Sequence, residues 1–351
     1  MEQTITLKLE LLKPTKAKKV LYEQMTKINT AFANWFLGQN RIKTTSACFK
    51  LFSDISFPSA VINQTIRDTK SQKKNQKAKT FRNMWCNFNN QNFKVEQKGE
   101  QYLVSFPTLE KRIGVPIVAH GHQKIWLDRL INGEVKQGTA ELFYKRGKWY
   151  IALPLTFEVR SSSHQKTMGI DLGLRYLAVV SVGTKSLFFK GNQVAFVRRR
   201  FASLRRKLGK AKKLQTIRKI HKKESNWMRD QNHKISRQIV NFAIANGVGI
   251  IRLEDLKDIR NTAKSRKEAG RSLHSWAFYQ LKEMIRYKAE IAGIRVEFVN
   301  PKYTSQSCKC GHCEKANRNK NLFFCKICGY TIHADLNGAI NIAKAISGLI
   351  A

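Results

Sequence analysis

Apolar and polar residues alternate at the start of the chain, and this pattern predicts a half-buried β-strand over residues 2–11. An amphipathic helix is predicted from Pro14–Thr15 onward, because apolar residues recur there at spacings of three and four. The members of this stripe are Leu21, Met25, Ile28, Phe32 and Trp35. A second helical pattern begins near Pro58–Ser59, with apolar positions at Val61, Ile62, Ile66, Phe81, Met84 and Trp85.

Short strands dominate the pattern between Phe93 and Val159. Four apolar or alternating segments predict them, at residues 101–106, 117–119, 139–144 and 149–153. The N-terminal strand is expected to join them in a small barrel, with the two helices inserted as a lobe. Residues 161–166, with three consecutive serines, have the composition of a linker between this half and the next.

The second half of the chain follows a different order of elements. Three strands are predicted from residue 168 to about 190, then a long helical pair from about 195 to 246. A strand (248–254), a basic loop (257–273), a helix (about 275–292) and a strand (295–299) come next. A final helix begins at Asp335. The order βββ-α-β-α-β-α, with acids on the first strand, the fourth strand and the last helix, is the ribonuclease-H plan.

Asp171 is an acidic residue at the end of an apolar strand. A carboxylate there costs several kcal/mol unless it is paired or binds a metal. Gly169 and Gly173 flank it and allow close approach of another backbone or a ligand. An isolated acid of this kind is commonly a salt-bridge partner, so the prediction depends on the other acids in the chain.

Glu254 and Asp335 are the other two acids. Glu254 ends an apolar strand, and its neighbour Asp255 points to the opposite face because side chains alternate along a strand. Asp335 begins a helix of small residues, where a lone acid would be an N-cap. Carboxylates gathered from separate elements are what two magnesium ions need to cut a phosphodiester. We therefore predict Asp171, Glu254 and Asp335 as magnesium ligands and catalytic residues.

The net charge of the chain is +41, from 65 Lys+Arg against 24 Asp+Glu among 351 residues. Self-repulsion of this size predicts a polyanionic partner, and nucleic acid is favoured over an anionic membrane surface. No apolar run approaches the length of about 20 residues that spans a membrane. The chain opens with a strand pattern and not with a signal peptide, so a cytoplasmic, nucleoid-associated bacterial protein is expected.

Five of the seven cysteines lie between residues 308 and 328. In a reducing cytoplasm such crowding predicts metal binding and not disulfides. Cys325-Lys-Ile-Cys328-Gly329 has the form of one zinc knuckle. The segment Cys308-Lys-Cys310-Gly311-His312-Cys313 contains three thiols for the two remaining ligand positions of a four-cysteine site. We predict a structural zinc site of Cys310, Cys325, Cys328 and either Cys308 or Cys313.

Residues 198–237 contain sixteen Lys and Arg residues but only two acids, Glu224 and Asp230. This imbalance is too one-sided for a face stabilised by i,i+4 ion pairs, so it predicts a helical pair that contacts phosphates. The basic loop 257–273 is a candidate lid beside the acids. The candidate nucleic-acid-binding residues are Arg198, Arg199, Arg205, Arg206, Lys207, Lys210, Lys212, Lys213, Lys234 and Arg318.

The second half resembles the TnpB family, the RNA-guided nucleases of small bacterial insertion sequences, which are related to compact type V CRISPR effectors. The matching motifs, spread over about residues 165–347, are Gly169-Ile-Asp-Leu-Gly173, Asp230-Gln-Asn-His-Lys234, Ile251-Arg-Leu-Glu-Asp-Leu256, Tyr287-Lys-Ala-Glu290, Pro301-Lys-Tyr-Thr-Ser305, Cys310-Gly-His312, Asn317-Arg318 and Ala334-Asp-Leu-Asn-Gly-Ala-Ile-Asn-Ile342. The family's Cys-x-x-Cys-Gly is one residue shorter here, at Cys308-Lys-Cys310-Gly311.

The resemblance implies a multidomain α+β protein. It implies a β-barrel wedge domain (1–12 and 92–160) with an inserted helical recognition lobe (13–91). A ribonuclease-H-like (RuvC) α/β nuclease domain follows (165–304 and 335–351), with an inserted zinc ribbon (305–334). The N-terminal half matches the family in plan only.

The resemblance also implies an RNA-guided DNA endonuclease encoded by a transposon, with Asp171, Glu254 and Asp335 as its active site. Its cofactors would be two Mg²⁺ ions, with Mn²⁺ as the alternative metal, a structural Zn²⁺ and a guide RNA. Its partners would be guide RNA from the transposon end and double-stranded target DNA next to a short adjacent motif. A monomer is favoured. The alternatives are a compact type V CRISPR effector nuclease and an RNA-guided DNA-binding protein or repressor that does not cleave.

Overall fold

The structure is a computed structural model that describes residues 2–39, 44–255 and 278–345. Backbone contacts divide the chain into two compact units, Glu2–Glu158 and Val159 onward. Each unit contains helices and at least one β-sheet, so the protein is multidomain and of mixed α and β structure.

The N-terminal unit is built on an antiparallel sheet. Its strands are β1 (Glu2–Leu11), β2 (Cys86–Phe88), β3 (Lys94–Lys98), β4 (Gln101–Pro107), β5 (Arg112–Val118), β6 (Lys136–Gln137), β7 (Ala140–Lys145) and β8 (Lys148–Glu158). The strand order is β2-β7-β8-β1-β5-β4-β3, and β6 pairs with β8. The prediction that the N-terminal strand joins the later strands is confirmed, because β1 pairs with both β5 and β8.

In the described residues of this unit, the sheet is accompanied by the helices α1 (Lys16–Leu37), α2 (Ser59–Gln76) and α3 (Gly121–Ile131), with a 3-10 turn at Ser46–Leu51. The Thr15 side chain accepts a hydrogen bond from the backbone N–H of Lys18 and so caps α1, as the Pro14–Thr15 prediction requires. Met25 and Phe32 of the predicted stripe are buried, but the buried face is centred one residue further along, at Tyr22, Asn29 and Phe36.

The prediction for the second helix was wrong at its C-terminal end, because the helix is shorter than predicted. Helix α2 ends at Gln76, and Phe81, Met84 and Trp85 lie beyond it. Side chains of α1 hold this later segment instead, since Asn29 donates hydrogen bonds to the carbonyls of Met84 and Trp85. Apolar spacing could not distinguish a helix from a segment tied to a neighbouring helix.

Helix α3 interrupts a region that was predicted to contain strands only. Its first turn is fixed by Gln123, whose side chain accepts from the His120 backbone N–H and donates to the Lys8 carbonyl of β1. This link between distant parts of the chain leaves no periodic signal in the sequence.

The C-terminal unit contains a five-stranded mixed sheet in the order β11-β10-β9-β12-β13. Its strands are β9 (Lys166–Asp171), β10 (Tyr176–Val182), β11 (Lys185–Lys190), β12 (Val248–Glu254) and β13 (Arg295–Val299). Strand β10 is antiparallel to both β9 and β11, while β12 runs parallel to both β9 and β13. The predicted strands 248–254 and 295–299 are confirmed.

Outside the gap at 256–277 and the undescribed residues after 345, this unit contains the helices α4 (Asn192–Lys210), α5 (Leu214–Ala245), α6 (Phe278–Ile291) and α7 (Ala334–Lys344). A small sheet in the order β14-β15-β16 precedes α7, with strands Arg318–Asn319, Leu322–Phe324 and Thr331–His333. Met168 and Ile170 of β9 belong to a core shared with α5 and α6. The alternate residues, Gly169 and Asp171, face α7.

The serine-rich segment 161–166 is not a free linker within the unit. The backbone N–H of Ser162 donates to the carbonyl of Gly293 at 2.8 Å. A side chain at Gly249 would overlap the carbonyl of His164. Because glycine has no side chain, the segment can lie directly on the sheet. Residue 166 is already the first residue of β9.

Candidate active site

Asp171 and Glu254 lie side by side at the ends of two parallel strands. Ile170 of β9 is in register with Leu253 of β12, and each acid is the next residue along its strand. Residues at equivalent positions of neighbouring strands point to the same face of a sheet. Both carboxylates therefore project from the face that α7 covers.

Helix α7 brings Asp335 to the same place. A Cβ added to Gly338, one turn after Asp335, would lie 3.0 Å from an Asp171 carboxylate oxygen. The helix approaches this closely because Gly169 has no side chain, and a Cβ there would come within 2.5 Å of the Ala343 nitrogen. Small residues on both elements thus set the distance between the strand acids and the helix acid.

Arg252 fixes the far end of α7. Its guanidinium donates to the carbonyl of Ala343 in the last turn at 2.8 Å and forms an ion pair with Glu297. Arg252 stands beside Gly169 in the register of β9 and β12, which leaves room for the long side chain to pass. A partly buried cation at a helix C-terminus also complements the helix dipole.

The segment before the cysteines connects Glu254 to α7. The Thr304 hydroxyl donates to the Glu254 carboxylate at 2.5 Å. Asn341 of α7 donates to the carbonyls of Thr304 and Ser307, and Asn337 also donates to Ser307. Sequence reasoning missed these three polar residues, although all of them fall inside motifs of the family resemblance.

Arg318 extends from the small sheet into the acidic group. Its guanidinium donates to the Asp335 carboxylate at 2.6 Å. The side chains of Arg318 and Asp335 are 34% and 14% exposed, so this ion pair is only partly screened by solvent. Arg318 was predicted to bind nucleic acid, and its partner in this structure is an acid of the candidate site.

The three carboxylates carry more negative charge than the single arginine neutralises. Burial, followed by the nearby charges of Glu254 and Asp335, raises the pKa of Asp171 to about 7, while Arg318 lowers it. Burial also raises the pKa of Glu254, against the opposing effects of Thr304 and Arg318. A buried acidic group of this kind favours either protons or additional cations.

The donor set fits magnesium, which prefers carboxylate oxygens. Two such ions lie about 3.5–4 Å apart and share carboxylate ligands between them.

Asp255, the neighbour of Glu254, takes no part in this group. Its backbone N–H donates to the carbonyl of Val299, and its carboxylate lies 3.5 Å from the Lys282 ammonium. Glu254 is thus the member of the pair on the α7 side. The basic loop 257–273 lies outside the described residues.

Four cysteines form the second candidate centre. The sulfur atoms of Cys308, Cys310, Cys325 and Cys328 all lie within 4.8 Å of one another, which suits a tetrahedral zinc site. Backbone N–H groups of Cys328 and Ile327 lower the pKa of Cys325 and so favour the thiolate that binds metal.

Cys308, and not Cys313, completes this group. Gly311 and Gly329 follow the second cysteine of each pair, and both have positive φ, at 91° and 69°. Each closes a tight turn, from Gly311 N–H to the Cys308 carbonyl and from Gly329 N–H to the Cys325 carbonyl. The glycine after Cys310 was therefore the sequence signal for the cysteine pair that joins this group, despite the short spacing of that pair.

The ten predicted nucleic-acid contacts fall into two groups. Arg198 and Arg205 pair with the buried Glu224, Lys234 pairs with Asp230, and Arg318 pairs with Asp335. The remaining six are exposed on α4 or the turn after it, namely Arg199, Arg206, Lys207, Lys210, Lys212 and Lys213. The exposed group forms the cationic surface that the composition predicts.

No helix in the described part of the chain is both long enough and apolar enough to cross a membrane.

Two family models match the C-terminal unit and the strand before it. A model described as "Probable transposase" matches residues 152–260, and a model described as "Cas12f1-like, TNB domain" matches residues 278–342. The resemblance to the TnpB family that the motifs indicate is confirmed by the transposase model and by the TnpB-like protein MJ0751 of Methanocaldococcus jannaschii, which is 29% identical over 67% of this chain and 87% of its own length.

Two relatives match over most of this chain. The Cas12f1 CRISPR-associated endodeoxyribonuclease of Sulfoacidibacillus thermotolerans is 33% identical over 67% of this chain, and the chain spans 60% of that protein's length. The putative RNA-guided DNA endonuclease InsQ of Escherichia coli K12 is 29% identical over 85% of this chain and 80% of its own length.

The fold is that of a solved Cas12f1. A cryo-EM structure of the Cas12f1–sgRNA–target DNA complex superposes with a TM-score of 0.74 at 16% identity, covering 97% of this chain and 99% of that one.

Proposed function

We propose that this chain, a relative of transposon-associated and Cas12f1 endonucleases, is an RNA-guided DNA endonuclease that cleaves target DNA beside a short adjacent motif. The observation that carries the proposal is the meeting of Asp171, Glu254 and Asp335 on one face of the sheet, with burial and mutual repulsion raising the pKa of Asp171 to about 7. Such a group is costly unless cations occupy it.

The proposed active site binds two Mg²⁺ ions, with Mn²⁺ as the alternative. Asp171, Glu254 and Asp335 would hold the ions, with Asp171 at the centre because it lies between Glu254 on the neighbouring strand and Asp335 on α7. The ions would supply activation of the attacking water and charge stabilisation of the leaving oxygen. Thr304 orients the Glu254 carboxylate by its hydrogen bond. Arg318 holds Asp335 and adds positive charge where the phosphate of the substrate would enter.

The domain plan is part of the proposal. The strand order β11-β10-β9-β12-β13, with the first three strands antiparallel and the last two parallel to β9, supports a ribonuclease-H-like (RuvC) domain over 165–304 and 335–351. The cysteine group supports a zinc ribbon over 305–334 that holds one structural Zn²⁺ on Cys308, Cys310, Cys325 and Cys328. The wedge (1–12 and 92–160) and recognition lobe (13–91) complete the plan.

Guide RNA and double-stranded DNA are the proposed partners. The net charge of +41 and the exposed cations of α4 support a nucleic-acid partner of considerable size. The names of the relatives support RNA guidance, since one is a putative RNA-guided DNA endonuclease. Base pairing would then select the target, and the protein would contact the backbone.

The test uses protein produced together with its native flanking DNA, so that a guide RNA can be captured. Sequencing of the RNA that stays bound at high salt identifies the guide, and a plasmid carrying the matching target measures cleavage. We expect Mg²⁺-dependent cutting that follows the guide sequence. Guide-matched binding without cutting would favour the repressor alternative. RNA that maps to a repeat array, and not to a transposon end, would favour the CRISPR effector.

Asp171→Asn is the decisive variant. It should retain RNA and DNA binding but lose more than about a hundredfold in cleavage rate, because several kcal/mol of metal-mediated stabilisation are removed. Asp230→Asn is the matched control, since Asp230 is an exposed acid paired with Lys234. Full cleavage by Asp171→Asn would exclude the proposed active site.

A further inference from the structure

A short segment of chain joins the candidate active site to the four cysteines. Thr304 begins it and donates its hydroxyl to the Glu254 carboxylate, and Cys308 ends it as a member of the cysteine group. The backbone N–H of Cys308 donates to the carbonyl of His312 at 2.8 Å, which ties the end of the segment to the turn that carries Cys310. A candidate magnesium ligand is therefore connected to a candidate zinc ligand through one hydrogen bond and a few residues of backbone.

Asn341 of α7 holds this segment from the other side. Its side-chain amide donates to the carbonyls of Thr304 and Ser307, each at 2.8 Å. Asn337, one turn earlier on the same face of α7, donates to the Ser307 carbonyl at 2.9 Å. Ser307 immediately precedes Cys308, so a displacement of that cysteine would change the bonds that fix α7 and the acid in its first turn.

The start of α7 has a second contact with the cysteine group. Ala334, the residue before Asp335, has no exposed surface. It belongs to a small buried core together with Cys308, Phe323 and Cys325. Close-packed cores have little free volume, so a displacement of one member is felt by its neighbours. The arrangement of the cysteines thus affects where α7 begins.

The arrangement of the cysteines depends in turn on a bound metal. Four thiolates this close repel one another, whereas a structural Zn²⁺ neutralises their charge and fixes their geometry. The described contacts therefore lead from a group whose order depends on zinc to Glu254 and Asp335, two of the three acids of the candidate active site.

We propose that the cysteine group and the three acids are coupled, so that zinc on the cysteines raises the affinity of the acids for magnesium. Asn341 is the positioning residue of this coupling, because its single amide group contacts two carbonyls of the connecting segment. Replacement of residues that hold metal ligands in place typically costs about 10–100-fold in metal affinity. This inference rests on the proposed function, which assigns magnesium to the three acids, and it adds a regulation of that site.

Asn341→Leu tests the positioning role. Leucine has the same branched arrangement of heavy atoms as asparagine but donates no hydrogen bond. The full-length, RNA-free variant should still bind zinc, but it should bind Mg²⁺ about tenfold more weakly than the native chain. Isothermal titration measures the magnesium affinity, and metal analysis measures the zinc content. Unchanged magnesium affinity in the zinc-loaded variant would overturn the proposal.

Asn29→Leu is the matched control. The Asn29 amide in α1 also donates to two backbone carbonyls, those of Met84 and Trp85, each at 3.1 Å. Asn29 belongs to the N-terminal unit, so its replacement should lower the unfolding temperature without changing the magnesium affinity. An equal loss of magnesium affinity in both variants would reduce the effect to general destabilisation and would also overturn the positioning role.

Coupling between two binding sites is reciprocal, and this property gives a test that needs no variant. If zinc raises the affinity for magnesium about tenfold, Mg²⁺ must raise the affinity for zinc by the same factor. A chromophoric chelator that binds Zn²⁺ and not Mg²⁺ measures the zinc affinity of the native chain with and without Mg²⁺. We expect this difference in the native chain and little of it in Asn341→Leu. An equal zinc affinity under both conditions in the native chain would overturn the coupling.

Asp171→Asn separates this proposal from the proposed active site. Mg²⁺ should not affect the zinc affinity of this variant, because a magnesium ligand is removed. Magnesium binding that depends on Asp171 but not on zinc would overturn the coupling alone, and so would a native chain that binds no zinc. Magnesium binding that is equal in Asp171→Asn and the native chain would contradict the proposed active site as well.

Discussion

At the scale of single residues, Asp171 is an acid whose burial and acidic neighbours both oppose its ionisation. Its carboxylate is buried beside two other acids, and the positive charge of Arg318 only partly offsets their effect on its pKa. The folded protein therefore binds a proton at Asp171 at pH values where an exposed aspartate would have lost it. Metal ions and protons should compete for this group.

The pH dependence of stability follows from this competition. The pKa of Asp171 is about 7 in the folded protein, against an ordinary 3.8, so its contribution to stability is fully present below pH 4 and is lost as the pH rises through 7. Without metal, the native chain should lose stability relative to Asp171→Asn by at most about 1.4 kcal/mol per pH unit within this window. Denaturant unfolding of both proteins in a chelator, from pH 4.5 to 8, measures the difference.

Addition of Mg²⁺ at pH 8 should restore the stability of the native chain but not that of the variant. The Mg²⁺ concentration required should be higher at pH 6, because protons then occupy the site. A difference between the two proteins that is constant or increases with pH would contradict the burial of Asp171 among like charges.

Two cysteines five residues apart should behave differently. Cys308→Ser should lose bound zinc and lower the unfolding temperature, because it removes one of the four proposed sulfur ligands. Cys313→Ser should keep its zinc, since Cys313 is exposed and accepts a hydrogen bond from Ser307. Metal analysis of the purified variants decides between them. Zinc loss in Cys313→Ser alone would show that the ligand set is wrong.

Residue types and chain order singled out the three acids that the fold brings together, because an acid at the end of an apolar strand, as at Asp171 and Glu254, is unusual. They could not predict the role of Thr304, because nothing in the sequence shows that its hydroxyl contacts the Glu254 carboxylate in the folded chain. Cys308 and Cys313 could not be separated by spacing alone. The turn geometry at Gly311 separates them, and that geometry depends on backbone hydrogen bonds.

At the scale of secondary-structure elements, the contact between α7 and β9 sets the position of Asp335. The helix backbone lies directly on Gly169, so that residue tolerates no side chain. The approach is fixed by close packing and by Arg252 at the end of the helix. Changes at this contact should therefore affect both stability and metal binding.

Gly169→Ala should destabilise the protein by several kcal/mol and weaken Mg²⁺ binding, because α7 must move away from the sheet. Gly209→Ala is the matched control. Gly209 lies within α4, where a Cβ would meet nothing closer than Ile217 at 4.0 Å, so this change should stabilise the helix by about 0.5–1 kcal/mol. Thermal unfolding with and without Mg²⁺ compares the two. Equal behaviour of the two variants would contradict the described packing.

Element prediction succeeded where burial is simple. Strands β12 and β13 lie in a sheet with helices packed on it, and their apolar runs define their limits. It failed after Gln76, where a segment is held by α1, and at α3, where Gln123 makes the decisive contact with β1. Both failures involve polar side chains that bond to backbone distant in sequence, which periodicity cannot detect.

At the scale of the whole molecule, only some of the excess cations are held in ion pairs with acids. Arg198 and Arg205 are held by Glu224, whereas the cations of the α4–α5 turn have no acidic partner among the salt bridges of the described residues. The exposed cations are therefore the ones expected to release counterions from a nucleic acid.

Replacement of Lys210, Lys212 and Lys213 by Gln should weaken nucleic-acid binding and reduce the slope of log K against log salt by about 2–3, the effect of three lost phosphate contacts. The Arg198→Gln, Arg205→Gln double variant should instead lower the unfolding temperature, because it leaves Glu224 buried without a partner. Binding titrations over a range of salt concentrations, together with thermal unfolding, test both. Identical salt slopes in all three proteins would argue against α4 as a phosphate-binding surface.

The three acids of the candidate site are far apart along the chain, and this spacing has a consequence during translation. Asp335 follows Asp171 by about 160 residues, and ribosomes add about 5–20 residues per second. For on the order of ten seconds or more after Asp171 is made, the nascent protein lacks the last acid. A product released by premature termination before α7 would also lack it. The proposed nuclease can therefore become active only after the chain has been made through α7, which protects the DNA of the cell from incomplete copies of the enzyme.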